Sequence, residues 1–137
     1  MTEPSTVTPA LARQVVGRVF EEVWNVGRVE VLAEVLTPEF AGYGADGETF
    51  DAGVLARRAR ARRQALPDLH YDVLRYVVEL PWVATMWVGH GRPADAEPAV
   101  EAVRLSGLTL WRLDGARIGE AWVLGFEGRR GWEPPLD

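Results

Sequence analysis

Lysine and cysteine are both missing from this chain of 137 residues, histidine occurs only twice, and no apolar run approaches the roughly 18 residues that a membrane span requires. Without cysteine there is no disulfide, no thiolate metal site and no cysteine nucleophile, a composition that fits a reducing compartment. Met1 to Thr8 carries no basic stretch leading into an apolar one, so neither secretion nor membrane insertion is expected, and a cytoplasmic location is. Positive charge comes only as arginine, whose planar guanidinium suits surface ion pairs. The acidic residues outnumber the arginines, giving a formal net charge of -5. Nucleic acid and anionic membrane are therefore not expected partners, since both demand a basic surface. The sequence also lacks a glycine-rich phosphate loop, a Gly-x-Ser-x-Gly elbow, a dinucleotide fingerprint and paired histidines at metal spacing. A pocket that needs no metal and no cofactor is what remains.

What is present is the composition of a folded globular chain, 47% hydrophobic and 26% charged with six tryptophans. The length suits a single domain over residues 1–137. Thr8-Pro9 is a helix start, with the threonine free to cap and the proline harmless in the first turn. Leu11, Val15, Val16, Val19, Phe20, Val23 and Trp24 then recur at helical spacing. Asn25 to Gly27 stops that helix. A short second one over Val29 to Leu36 ends before Thr37-Pro38, and Asp51 caps a third that runs to Leu66. Phe40 to Gly47 reads as a short strand or turn. From Leu69 on, β-branched and aromatic residues predict four strands, Leu69 to Leu80, Trp82 to His90, Val100 to Leu113 and Arg117 to Phe126. Their breaks, Leu80-Pro81, the Gly91 to Pro98 loop and Asp114-Gly115, are short enough to imply antiparallel pairing. Helices first and a meander afterwards is an α+β pattern, with helices covering one face of a curved sheet. Gly128 to Asp137 reads as a tail laid over the domain.

Several segments together resemble the SnoaL-like polyketide cyclases. They are Val23-Trp24-Asn25-Val26-Gly27 with Val29, Leu32, Leu36 and Pro38-Glu39-Phe40; Leu66-Pro67-Asp68-Leu69; Ser106 to Arg112; Asp114 to Ile118; Glu120-Ala121-Trp122; and Gly131-Trp132-Glu133-Pro134. The resemblance implies the cone-shaped roll of the nuclear transport factor 2 superfamily, N-terminal helices on a mostly antiparallel sheet around an apolar pocket, and a homodimer formed through the sheet. Because that superfamily holds isomerases, hydrolases, cyclases and binding proteins, the fold alone does not choose among them.

The family's aldol-type cyclases use a histidine on the penultimate strand and an aspartate on the last. Thr109 stands at the first position here and Val123 at the second, and neither is a base near neutral pH. The resemblance offers Tyr43 as a polar pocket residue and His90 at the pocket rim as candidate catalytic groups beside Thr109. Tyr43 could equally be an aromatic filler of the cone, and His90 a strand-end residue bonded to a loop. Trp24, Trp87, Trp111, Trp122 and Val123 are the candidate substrate-binding wall, an aromatic lining suited to flat apolar ligands, though tryptophans also serve simply as core. Strand alternation aims Glu120 opposite to Ala121, toward a surface salt bridge. His70 reads as an exposed strand residue, Asp72 could face either way, and Arg57 to Arg63 read as a solvated helix face with an acidic-ligand handle as the lesser alternative.

The first expectation is thus a cofactor-independent cyclase or isomerase acting on a hydrophobic polyketide-type biosynthetic intermediate, by epoxide-opening or pericyclic ring closure rather than aldol chemistry. The second is a non-catalytic carrier of a small apolar ligand. An epoxide hydrolase comes third, and would need a carboxylate such as Asp72 inside the pocket.

Overall fold

The structure, a computed structural model, describes residues 7–95, 97 and 101–127. The tail expected at Gly128 to Asp137, with its Gly131 to Pro134 motif, lies outside them, as do Val100 and part of the Gly91 to Pro98 loop. Helix α1 spans Pro9–Arg18, and the Thr8 hydroxyl accepts from Leu11 N at 3.1 Å, as the capping signal predicts. The same helix then loosens into a π-helical turn, Val19–Trp24, where Asn25 N reaches back to Phe20 O at 2.9 Å. Such turns insert one extra residue into a helix and often sit at functional sites. Here it presents Val19, Phe20 and Trp24 to the interior cavity described below.

A 3₁₀ turn, Val29–Val31, leads into helix α2, Leu32–Val35, which together match the expected second helix. Strand β1, Leu36–Gly44, begins at once and carries Thr37-Pro38 within it, so the Phe40 to Gly47 segment is the end of a longer strand than expected. A two-residue strand β2, Thr49–Phe50, turns back on it, and helix α3, Ala52–Ala65, follows, capped by Asp51 Oδ1 accepting from Val54 N at 2.9 Å. The four later strands are β3 His70–Glu79, β4 Trp82–Gly91, β5 Val103–Asp114 and β6 Arg117–Glu127.

These form one sheet in the order β2-β1-β6-β5-β4-β3, in which β1 runs parallel to β6 and every other pair is antiparallel. Register irregularities in β1, β3 and β6 interrupt the pairing, and such bulges bend a sheet. The helices cover the inner face. Val16, Val19, Val23, Val31 and Val35 from the helical layer and Val83 and Ile118 from the sheet are fully buried between the two. Among the described residues no helix is long and apolar enough to cross a membrane.

The Trp24-Asn25-Val26-Gly27 turn has a job beyond stopping the helix. Strand β3 is a sheet edge, so its outer backbone groups have no neighbouring strand. Asn25 supplies one: Nδ2 donates to Tyr71 O at 3.0 Å and Oδ1 accepts from Tyr71 N at 2.7 Å. Asn25→Ala is expected to cost about 2 kcal/mol of unfolding free energy, because two backbone groups in a part-buried position lose their partners. An unchanged urea midpoint would show that water replaces the amide at no cost.

Candidate functional site

Strand alternation and register divide the sheet into two surfaces with different chemistry. Along the inner face one row runs Tyr76, Thr85, Thr109, Val123, Gly44 and the next Val73, Trp87, Gly107, Gly125. Above these rows the helical layer encloses a cavity of about 470 Å³, within the usual range for a small-molecule site. Its wall is aromatic and aliphatic, formed by Val19, Phe20 and Trp24 from the helical layer, Phe40 and Phe50 from the first hairpin, Leu55 from α3, and Tyr71, Trp87, Trp111, Ala121 and Val123 from the sheet.

Polar groups at its floor are few and fixed. The Trp87 indole Nε1 donates to Thr109 Oγ at 3.0 Å, the Trp111 Nε1 donates to Thr85 Oγ at 2.9 Å, and the Thr85 hydroxyl itself donates to Thr109 O at 3.2 Å. Thr85 is thereby used as both donor and acceptor. The Thr109 hydroxyl has one lone pair occupied by Trp87, and its proton has no acceptor among the described residues, so it remains available as a donor in the cavity wall. Charge is confined to the mouth, where Asp46 and Glu48 of the β1–β2 turn meet Arg58. That arginine pairs with Glu48 at 2.5 Å and lies 5.1 Å from the Phe50 ring centre.

Of the candidate residues read from the sequence, Thr109, Trp24, Trp87, Trp111 and Val123 come together in this cavity. Tyr43, His90 and Trp122 do not, and the expectation that they face it is corrected. All three lie on the outer face of the sheet, because each is an odd number of positions from an inward neighbour. His90 is one step from the inward Gly89, Trp122 is one step from Ala121, and Tyr43 pairs with Trp122 across β1 and β6. The exposed His90 ring sits 6.1 Å from that of His70. The Tyr43 hydroxyl donates to Glu120 Oε2 at 3.1 Å while its ring stacks on Trp122 at 5.5 Å.

Arg112 Nε donates to the other Glu120 oxygen at 2.7 Å, the surface salt bridge expected of that residue. This bond, more than the Tyr43 one, holds the Glu120 carboxyl below its ordinary range, and Glu120 in turn raises the Tyr43 phenol. Asp72 also faces outward, 3.2 Å from His70 Nε2, so the carboxylate that epoxide hydrolysis would borrow from it is not in the cavity. Nor is the arginine run uniformly solvated. Arg58 guards the mouth, and Arg63 donates to the carbonyls of Trp24, Leu69 and Pro67 at 3.0 to 3.3 Å, tying α3 to the turn below it.

Sequence reasoning missed Tyr71 and the three phenylalanines of the wall. The signal for Tyr71 was the alternation Leu69, Tyr71, Val73, which places it on the buried side of β3, the first strand after α3. Among the described residues no three histidine, aspartate or glutamate side chains cluster as metal ligands.

The family model for the SnoaL-like polyketide cyclases matches residues 14–125. No curated protein matches the chain. Among solved structures, it is similar to a candidate SnoaL-like polyketide cyclase from Jannaschia sp. CCS1, with a TM-score of 0.72 at 18% identity, covering 90% of this chain and 91% of that one. IdmH, a candidate polyketide cyclase from Streptomyces antibioticus, gives 0.72 at 20% identity with 83% and 91% covered. AclR, a candidate hydroxylase from Streptomyces galilaeus, gives 0.73 at 15% identity with 90% and 78% covered. At these identities the structural likeness speaks for the fold, whereas the family match extends from the first helix to the last strand and includes every element that builds the cavity. The chain belongs to the SnoaL-like polyketide cyclase family.

Proposed function

We propose that the protein is a cofactor-independent cyclase or isomerase of the cytoplasm that folds a hydrophobic polyketide-type intermediate inside the aromatic cavity, with the Thr109 hydroxyl polarising the oxygen at which charge develops. The observation that carries this reading is the Trp87–Thr109 hydrogen bond, which fixes a neutral donor in an apolar wall. A donor held by the protein before the substrate arrives costs no reorganisation during the reaction, and removing one such donor from an acyl-transfer enzyme lowers turnover by about 10² to 10³-fold. Among the described residues no histidine or carboxylate accompanies it at the floor, so the aldol route through a general base is not the one proposed. Ring closure by epoxide opening or by a pericyclic step needs mainly that the reacting ends be brought together, and orientation of that kind supplies about 7 to 11 kcal/mol in favourable intramolecular cases.

The same absence of a base supports the carrier as the second reading. The two differ in what leaves the cavity. Incubation with hydrophobic polyketide-type compounds, followed by mass spectrometry and chromatography of what is recovered, is expected to give products of unchanged mass and altered retention. Thr109→Val is expected to slow their formation by about 10²-fold. Ligand recovered intact from both proteins would establish the carrier and end the cyclase reading.

We propose also that two copies pair through the outer face of the sheet. Support comes from its layout, an apolar centre between polar rows.

A further inference from the structure

Tyr71 is a closely packed polar side chain of the cavity wall. Its ring meets Phe20, Trp24 and Trp87 edge-on, at 6.4, 5.4 and 5.5 Å between centres. Beneath it lies Gly89, where an added Cβ would come within 2.7 Å of the ring, so a side chain there would displace the phenol. Its backbone is held on the outer side by Asn25. The residue is only 8% exposed, yet its hydroxyl has no hydrogen-bond partner among the described residues, and it is not sealed as the Ser106 hydroxyl is. A phenol whose ring is buried while its hydroxyl stays accessible and bonds no described protein group is a donor left for water or a ligand.

We propose that Tyr71 is a second hydrogen-bond donor of the cavity, and that with Thr109 it selects ligands bearing a neutral carbonyl or ether-type oxygen on a flat apolar frame over their anionic counterparts. The proposal rests on the reading of the cavity as a small-molecule site. Both donors are neutral, neither can balance a negative charge, and the one cation at the mouth among the lining residues is already paired with Glu48 while Asp46 adds a further negative charge. A carboxylate entering this space would lose its hydration, and no lining cation among the described residues is free to pair with it. Burial pushes the Tyr71 phenol up to about 12, an effect the Arg62 charge only partly offsets, so the group keeps its proton through the whole neutral and mildly alkaline range.

Three probes of nearly equal shape separate the possibilities: 2-acetylnaphthalene, which carries a ketone; 2-isopropenylnaphthalene, its hydrocarbon isostere; and 2-naphthoate, its anionic one. Calorimetric or fluorescence titration of the intact protein is expected to rank them in that order, with the ketone ahead of the hydrocarbon by about fivefold or more. The infrared carbonyl band of the bound ketone is expected at lower wavenumber than in an apolar solvent. Tyr71→Phe keeps the ring and its three aromatic neighbours. It is expected to weaken the ketone about fivefold, leave the hydrocarbon unchanged and move the carbonyl band back up, while in the unaltered protein the ketone preference holds flat from pH 7 to pH 10. If the hydrocarbon binds and Tyr71→Phe alters neither the ratio nor the band, or if naphthoate binds as tightly as the ketone, the donor assignment is wrong while the cavity reading stands. If none of the three binds, the cavity reading fails and takes the assignment with it.

Discussion

Gly107→Ala is expected to lower the free energy of unfolding by about 3 kcal/mol and to disable the cavity floor, although it adds a single carbon. A Cβ built at Gly107 would lie 2.2 Å from the Trp87 ring and 2.6 Å from the backbone oxygen of Leu124 on the neighbouring strand. The ring could swing away, but only by giving up the Nε1 bond to Thr109 Oγ, and the carbonyl could retreat only if β6 moved. Both adjustments strike the feature on which the proposed chemistry depends. Gly125, the register partner of Gly107, provides the control: a Cβ there meets Trp87 at 3.4 Å and the Ser106 carbonyl at 3.9 Å, ordinary contacts, so Gly125→Ala is expected to cost under about 1 kcal/mol. Urea unfolding of the two variants decides the matter. Equal stabilities would mean that the sheet yields at Gly107 and that Trp87 is not pinned.

This dependence on a strand glycine illustrates which parts of the structure were legible beforehand. The helix starts at Thr8 and Asp51, the stop at Asn25 to Gly27 and the antiparallel order of the last four strands all follow from local rules of capping, turn chemistry and alternation, and the structure bears them out. The π-helical turn, the parallel pairing of β1 with β6 and the partnership of Asn25 with Tyr71 were not legible. The last two depend on segments far apart in the chain, 46 residues in the case of Asn25 and Tyr71, whereas the π-helical turn is a local Asn25 N to Phe20 O bond that no capping or spacing rule singles out. Local propensity carries no information about such pairings.

The site was half legible, and the half that failed did so for a physical reason contained in the sequence. Trp122 and Val123 are adjacent, as are Gly89 and His90, and neighbours in a regular strand point to opposite faces. A wall that includes Val123 therefore excludes Trp122, and one that includes Trp87 excludes His90, three positions away. Family resemblance suggested residue types at a pocket, while the pleat decided which of them could reach it. Thr109 and Trp87 share a parity across the β4–β5 register and both face inward, with Trp111. The same parity argument, applied to Glu120 against Ala121, was correct.

The displaced aromatic residues have a consequence of their own, since they make the outer face of the sheet apolar at its centre. Reading across the strands, one outer row is Val77, Ala84, Leu110, Trp122, Tyr43 and the next runs from Arg75 at the sheet edge through Met86, Leu108 and Leu124. On one side they are bordered by Glu79, Trp82, Arg112 and Glu120; on the other a mixed row of Asp72, Val88, Ser106 and Phe126 leads to His70, His90 and Arg104. An apolar centre with a charged margin is the anatomy of a protein interface, and Leu108, Leu110 and Leu124 remain about 40% exposed when the chain stands alone, Phe126 more so. Contiguous apolar area of this kind is uncommon on a surface that faces only water. A second copy can meet it isologously, row against row, which is how two-fold interfaces are built. The unaltered protein is expected to sediment with the mass of two chains at micromolar concentration, and Leu108→Arg combined with Leu110→Arg to sediment with the mass of one, because four like charges would then oppose each other across the pair. The cavity lies on the other side of the sheet, so the double variant should retain ketone binding within about twofold even as a monomer, the tolerance expected of a site whose walls come from one chain. A monomeric unaltered protein would leave the apolar face without its second copy. A variant that loses both dimer and ligand would instead mean that pairing through the outer face holds the curvature of the sheet, and with it the distance between Thr109 and the helices above.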